Sequence, residues 1–168
     1  MAGPVCLFCS VTFMIDVLPI TNPDDLDTAF SIRRTVFVEE QHVPAEEEYD
    51  EFEIGSTHFL ARVDGQPAGT ARWRRTSNGT KLERFAVLPE FRRRGVGKAL
   101  VQTVLDSVFS QLPEPIERIY IHAQVSAMPL YEGFGFVAVG PMFDECGIQH
   151  YKMVLPGANM PASSSLQE

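Results

Sequence analysis

Arg92-Arg93-Arg94-Gly95-Val96-Gly97-Lys98 follows a short apolar stretch that ends at Pro89, and it leads into Val96, Leu100, Val101, Val104, Leu105 and Val108, which recur along one side of a helix. The heptad therefore reads as a strand-to-helix turn. A helix N-terminus presents unpaired backbone N–H groups and a partial positive charge, glycines let an anion approach that backbone, and arginines add charge-assisted contacts. Place and composition together point to a phosphate-bearing ligand, with a basic surface patch as the bland alternative. Two other phosphate motifs fail on the same letters. A P-loop needs Gly where this chain has Arg92 and Ser or Thr where it has Ala99. A dinucleotide fingerprint needs a third Gly where the chain has Leu100.

Upstream of the heptad, residues 58–63 and 68–75 read as strands joined at Asp64-Gly65, and Asn78-Gly79 turns the chain into a strand over 81–88. Three consecutive antiparallel strands are expected. Downstream, the helix stops near Pro113-Glu114-Pro115, and residues 119–123 form a buried strand that a helical crossover makes parallel to the one at Lys81. A short helix over 126–132, closed by Gly133, precedes strands at 136–139 and 149–155. Toward the N-terminus, residues 11–18 read as a strand, and Thr21-Asn22-Pro23-Asp24 starts a helix that reaches about Val38. Arg33 and Arg34 interrupt its apolar pattern. The segment after it reads as a loop with a short helix and Pro44 as a breaker. The expected fold class is α/β (α+β), with a mixed, mostly antiparallel central sheet and helices on both faces.

The 168 residues suit one core, and 45% hydrophobic with 21% charged residues suits a packed globular chain. Residues 1–16 read as an N-terminal extension or edge strand, 17–155 as the single domain and 156–168 as a flexible tail. A net charge of −8 argues against nucleic acid as partner and leaves room for cationic substrates. Glu39, Glu40, Glu46, Glu47, Glu48, Asp50, Glu51 and Glu53 crowd one stretch, as a solvated face or a substrate-attracting one. No apolar run reaches the roughly 20 residues that span a bilayer, and the apolar first residues lack the charged start of a secretory signal, so no membrane partner is expected. Three cysteines make no disulfide framework, which points to a reducing, cytoplasmic compartment. Cys6 and Cys9 form a CxxC, but zinc requires four ligands and Cys146 with a histidine is a loose complement, so no metal is expected. Asn78-Gly79-Thr80 reads as a hairpin turn rather than a glycosylation site.

The heptad also matches R-x-x-G-x-G, and in this it resembles the acetyl-CoA loop of the GNAT superfamily of acyl-CoA-dependent N-acyltransferases. Residues 82–89 (Leu-Glu-Arg-Phe-Ala-Val-Leu-Pro) are similar to the strand before that loop, and Tyr131-Glu132-Gly133-Phe134-Gly135-Phe136 to the Y-E-x-x-G-F of the same family. Residues 33–41 and 144–150 resemble the ElaA-like and YjcF-like branch.

The resemblance implies a GNAT-like sheet, acetyl-CoA as cosubstrate and transfer of its acetyl group to a primary amine of a small-molecule or protein acceptor, by direct attack in a ternary complex. A homodimer is compatible with it. It implies that the backbone of Phe85, Ala86 and Val87 pairs with the pantetheine arm, and that Arg92, Arg93, Arg94, Gly95, Val96, Gly97 and Lys98 hold the pyrophosphate. Gln124 stands where the family often has Asn. Tyr131 falls at the place of the acid that protonates the departing thiolate, with a packed wall residue as the alternative.

Glu83, four residues before Val87, is expected on the strand face of Phe85 and Val87, as a general base or as an ion-paired strand residue. His42, His58, His122 and His150 lack local partner motifs. His122, between Ile121 and Ala123 on a buried-looking strand, reads as structural, and His150 draws attention only through the resemblance of its segment. The competing class is a non-catalytic module of the same fold that senses acyl-CoA or serves in protein interaction.

Overall fold

Asn22 sets the start of the first helix: its side chain accepts from the Asp25 N–H at 2.9 Å, and Pro23 takes the first turn, where a missing N–H breaks no bond. That helix, α1 (Pro23–Arg33), follows strand β1 (Ile15–Pro19) and passes without a break into a π-helical segment, Arg34–Glu40. The computed structural model describes residues 13–111 and 118–157. The Cys6-Cys9 pair, the opening of the strand expected over 11–18, the stop at Pro113-Glu114-Pro115 and all but the first two residues of the tail expected from 156 lie outside the described residues.

After Pro44 comes the short α2 (Ala45–Glu48), then an antiparallel meander of β2 (Thr57–Val63), β3 (Gln66–Thr76) and β4 (Gly79–Val87). Asp64 and Gly65 turn with φ of 50° and 81°, the doubly positive geometry of a tight hairpin. Gly79, at φ 115°, lies so close to the next crossover that a Cβ would come 2.2 Å from the Arg118 carbonyl oxygen. Only glycine lets β4 begin there. α3 (Val96–Gln111) carries the chain to β5 (Ile119–Gln124), which pairs parallel with β4, and α4 (Met128–Glu132) leads to β6 (Val137–Glu145) and β7 (Ile148–Leu155).

The seven strands lie in the order β1-β2-β3-β4-β5-β7-β6, antiparallel throughout except at β4–β5. β6 is longer than the sequence suggests, because it runs on through Gly140-Pro141 to Glu145. A sheet edge tolerates this: proline breaks no ladder where no neighbour pairs, and the register slips between Val139 and Phe143.

Helices cover both faces. Val96, Leu100, Val101, Val104, Leu105 and Val108 of α3 are all buried, packed with Phe59, Ala61, Trp73 and Leu82 of the sheet. Ile32 and Val36 pack with Leu60 and Ala86 on the opposite face. The rest of that second face is charged. Arg33, which breaks the apolar pattern of α1, is 1% exposed and pairs with Glu48 and with both oxygens of Glu53 at 3.0 and 2.7 Å. Arg72, 0% exposed, holds Asp50 with two hydrogen bonds at 3.0 and 2.5 Å, Glu53 at 2.7 Å and Glu83 at 2.8 Å. The acidic stretch is therefore divided: Glu48, Asp50 and Glu53 turn into this network, while Glu39, Glu46, Glu47 and Glu51 are exposed. No helix of the described residues is long and apolar enough to cross a membrane.

Removing one member of a buried ion network leaves the others uncompensated, so Arg72→Ala should destabilise the fold by about 3–5 kcal/mol, read by urea unfolding. Burial alone would raise the carboxyls of Asp50, Glu53 and Glu83, but hydrogen bonds and charge from the arginines and Lys81 outweigh it and hold all three below the ordinary range. Their stabilisation is complete above the unfolded values of about 4 and is lost as pH falls through the lower folded values. Glu48, raised because burial there outweighs Arg33 and Arg84, runs the other way. Thermal melts should show the midpoint dropping on acidification below about pH 4 in the native chain, and a flatter dependence in Arg72→Ala.

Candidate active site

β4 and β5 pair only from Thr80–Ile119 to Leu82–Ile121, yet β4 continues to Val87 and β5 to Gln124. The strands splay where a bulge interrupts β4. Arg84 has φ 58°, and the register with β3 jumps from Arg72–Glu83 to Thr70–Ala86, so Ala71 faces two residues. The bulge also resets the alternation. Leu82, Phe85 and Val87 belong with the α3-side core, whereas Glu83 bonds Arg72 on the other face. The expectation that Glu83 shares a face with Phe85 and Val87 is thereby corrected: the period of two does not survive an inserted residue. Beyond Leu82, the edge of Phe85, Ala86 and Val87 has lost β5 as a partner.

At the far end of the splay, a 3-10 turn, Pro89–Phe91, brings the chain to the arginines. Arg93 at φ 59° and Gly95 at φ 94° curl the backbone into the first turn of α3, which closes when the Ala99 N–H donates to the Gly95 carbonyl at 3.0 Å. Val96, Gly97 and Lys98 then carry the unpaired N–H groups of a helix start. Arg92 donates to the Val87 carbonyl at 3.0 Å and pairs with both oxygens of Glu40 at 2.7 and 2.5 Å. Arg94 rests on the rings of Phe13 and Phe91. Among the described residues, Arg93 and Lys98 make no side-chain hydrogen bond or ion pair, which leaves them for an outside anion.

At the near end lies a cleft of about 380 Å³. Phe37 and Gln41 from the end of the π-helical segment form one wall, Glu47, Glu48 and Asp50 a second, and β4, β5 and the β6–β7 turn the rest. Tyr131 projects from α4 with its ring buried edge-on against Phe85 at 5.8 Å and Phe136 at 6.1 Å. Burial pushes its hydroxyl pKa well above the ordinary tyrosine value, so the phenol keeps its proton. Among the described residues it makes no side-chain hydrogen bond. Gln124 also lines the cleft, where its amide nitrogen donates to Oε1 of Gln41 at 2.8 Å.

Glu83 lines the cleft as well, but Arg72, Arg74 at 2.7 Å and Lys81 at 3.0 Å share it. Burial raises its pKa, and the three cations together hold it below the usual range. A carboxylate so firmly anionic is a weak base.

Sequence reading passed over a pair that the fold assembles. His122 on β5 lines the cleft with its ring 5.0 Å from that of Phe143, and its Nδ1 is 3.5 Å from Oε2 of Glu145 at the end of β6. The available signal was the alternation of Ile121, His122 and Ala123, which sends His122 away from its two core neighbours. His150 is buried and donates from Nδ1 to the Ile148 carbonyl at 2.8 Å, His58 meets the Glu53 carbonyl at 2.8 Å, and His42 is exposed.

The acetyltransferase (GNAT) domain family matches residues 22–156. A Bacillus subtilis protein named as an acetyltransferase is 38% identical over 142 residues, which are 83% of this chain and 95% of the relative. The uncharacterized N-acetyltransferase YjcF of the same organism is 38% identical over 79% of this chain and 94% of its own. The crystal structure of Escherichia coli ElaA superposes with a TM-score of 0.71 at 23% identity, covering 84% of this chain and 99% of that one.

The ion pairs around Glu83 generate a prediction. Glu83→Gln should lower the unfolding midpoint in denaturant, since Arg72, Arg74 and Lys81 lose their common anion, while enzymatic thiol release persists. Unchanged stability with thiol release down by about 10²-fold would instead make Glu83 the general base.

Proposed function

Since this chain belongs to the acetyltransferase (GNAT) domain family and is an acyl-CoA-dependent N-acetyltransferase, we propose that it passes an acetyl group from acetyl-CoA directly to a primary amine held in the cleft, within one ternary complex. The splay of β4 from β5 carries this reading, because it joins an anion-binding helix start at one end to a buried phenol and a cleft at the other. The pyrophosphate sits on the N–H groups of residues 93–98, with Arg93 and Lys98 as mobile counter-charges. The pantetheine arm adds as a strand along Phe85, Ala86 and Val87, whose edge is open. That path ends beside Tyr131, which packs on Phe85.

The chemistry requires a neutral amine, a polarised thioester carbonyl and a proton for the leaving sulfur. Tyr131 supplies the last, as a protonated phenol in a dry setting that donates to the thiolate once it forms. Gln124, held by Gln41, fixes the wall between the cofactor strand and the acceptor. The cleft lining carries five carboxylates (Glu47, Glu48, Asp50, Glu83, Glu145) against three cationic side chains (Arg74, Lys81, Arg84), a balance that favours an acceptor arriving as an ammonium.

Gly97→Glu places a bulky anion at the helix start, where a Cβ already comes 3.4 Å from Leu130. It should abolish acetyl-CoA binding in calorimetry without unfolding the chain, and unchanged affinity would sink the phosphate assignment. Tyr131→Phe deletes only the hydroxyl. It should bind acetyl-CoA as the native chain does yet release thiol about tenfold more slowly or worse, and a native rate would leave protonation of the thiolate to another group.

A further inference from the structure

An amine that enters an acid-walled cleft as an ammonium must lose a proton before its lone pair can attack. Of the carboxylates in these walls, Glu83 is committed to Arg72, Arg74 and Lys81, Glu48 to Arg33, and Asp50 to Arg72 and Arg84, while Glu47 is exposed at the rim. His150, also at the cleft, is buried with Nδ1 donated to the Ile148 carbonyl. His122 differs on every count. Its side chain is 29% exposed, it lines the cleft, and neither ring nitrogen makes a hydrogen bond within the described residues. Nδ1 is enclosed and faces Glu145 at 3.5 Å, which leaves Nε2 as the nitrogen open to a ligand.

We infer that His122 is the base of this enzyme, taking the amine proton at Nε2, and that Glu145 is a positioning residue that holds the imidazole as the Nδ1–H tautomer. The inference rests on the acyl-transfer reading of the cleft. An imidazole whose Nδ1–H points at a carboxylate presents an unprotonated Nε2, and the same carboxylate stabilises the imidazolium once the proton has moved. The imidazole beside it holds the Glu145 carboxyl down at about 2, with Lys81 and His150 adding to the effect against partial burial, so Glu145 stays anionic wherever the enzyme works.

The charged and titratable groups that face His122 are Glu145 from β6, His150 and Lys152 from β7, Lys81 and Glu83 from β4, and Tyr120 on its own strand. The Tyr120 hydroxyl is occupied by the Thr76 hydroxyl at 2.9 Å, and Lys152 lies over the Tyr120 ring at 4.8 Å. Among these, Glu145 alone has a carboxylate within reach of Nδ1.

The proton count closes. Nε2 takes one proton from the ammonium, and the freed lone pair forms the C–N bond as the C–S bond breaks. The thiolate leaves with the Tyr131 proton, the second amine proton restores Tyr131, and His122 passes the first to solvent.

Thiol release from acetyl-CoA with spermidine and with lysine amide as probe amines, followed from mildly acidic to mildly alkaline pH, tests the assignment. His122→Gln should lower kcat by about 10²-fold and remove the acidic limb of its pH profile, with acetyl-CoA affinity in calorimetry unchanged. Glu145→Gln should lower kcat less than His122→Gln does, because the imidazole has lost the carboxylate that orients it, with acetyl-CoA affinity unchanged. Nitrogen-15 spectra of the imidazoles in the protein without ligand read the tautomer whether or not either amine is an acceptor. Nδ1–H with a bare Nε2 at His122, lost in Glu145→Gln, is the expected result. An Nε2–H tautomer in the native chain, or a native rate and limb in His122→Gln, would overturn the proposal. Failure of acetyl-CoA to bind would instead strike the acyl-transfer reading and leave the tautomer result to stand for His122.

Discussion

A fully buried guanidinium, that of Arg72, is the constraint on which the cleft half of this molecule depends. Taken out of water, it must be surrounded by anions, and the chain supplies Asp50 and Glu53 from the acidic stretch and Glu83 from β4. Burial pulls the Arg72 pKa down, and the Asp50 hydrogen bonds with the neighbouring carboxylate charges more than reverse it. Arg33 does the same from the end of α1, with Glu48 and Glu53. Between them the two arginines draw an acidic segment onto the sheet that like-charge repulsion would otherwise hold in solvent. One wall of the cleft exists for that reason.

The bulge at Arg84 is the second device, and it acts on both faces at once. It sends Glu83 to the charged face and Phe85 to the apolar one, where Phe85 meets the ring of Tyr131. Because the bulged strand bends away from β5, an unpaired backbone edge opens in the middle of a sheet. Edges inside sheets are rare because unpaired N–H and C=O groups are costly to bury. An extended ligand that pairs there satisfies them.

The two ends of the splay are also tied to each other. Arg92 in the loop before α3 holds Glu40 at the end of the π-helical segment, and the next residue, Gln41, bonds Gln124 across the cleft. A π-helical stretch carries a wider turn than an α-helix and occurs often at functional sites. Here its last turn lies between the loop that resembles a pyrophosphate cradle and the wall that would meet the acceptor.

Much of the fold was legible residue by residue. The spacing of Val96, Leu100, Val101, Val104, Leu105 and Val108, the Asp64-Gly65 turn and the Asn22-Pro23 helix start depend on a few consecutive residues and appear in the structure as read, while the second turn falls one residue earlier than Asn78-Gly79, at Ser77-Asn78, with Gly79 opening β4. The place of residues 92–98 at the start of α3 was equally legible. The charged core was not legible: Arg33 looked like an interruption of an apolar stripe, and the acidic stretch like one solvated face. Nor were the bulge at Arg84, the passage of β6 through Pro141 or the meeting of His122 with Glu145. Sequence by itself determined what rests on neighbours along the chain, namely helix periodicity, turn chemistry and the helix-start loop. Only the tertiary structure decided what rests on partners brought from afar, because whether a charge is buried, a strand bulged or an imidazole oriented depends on which distant side chain arrives to satisfy it.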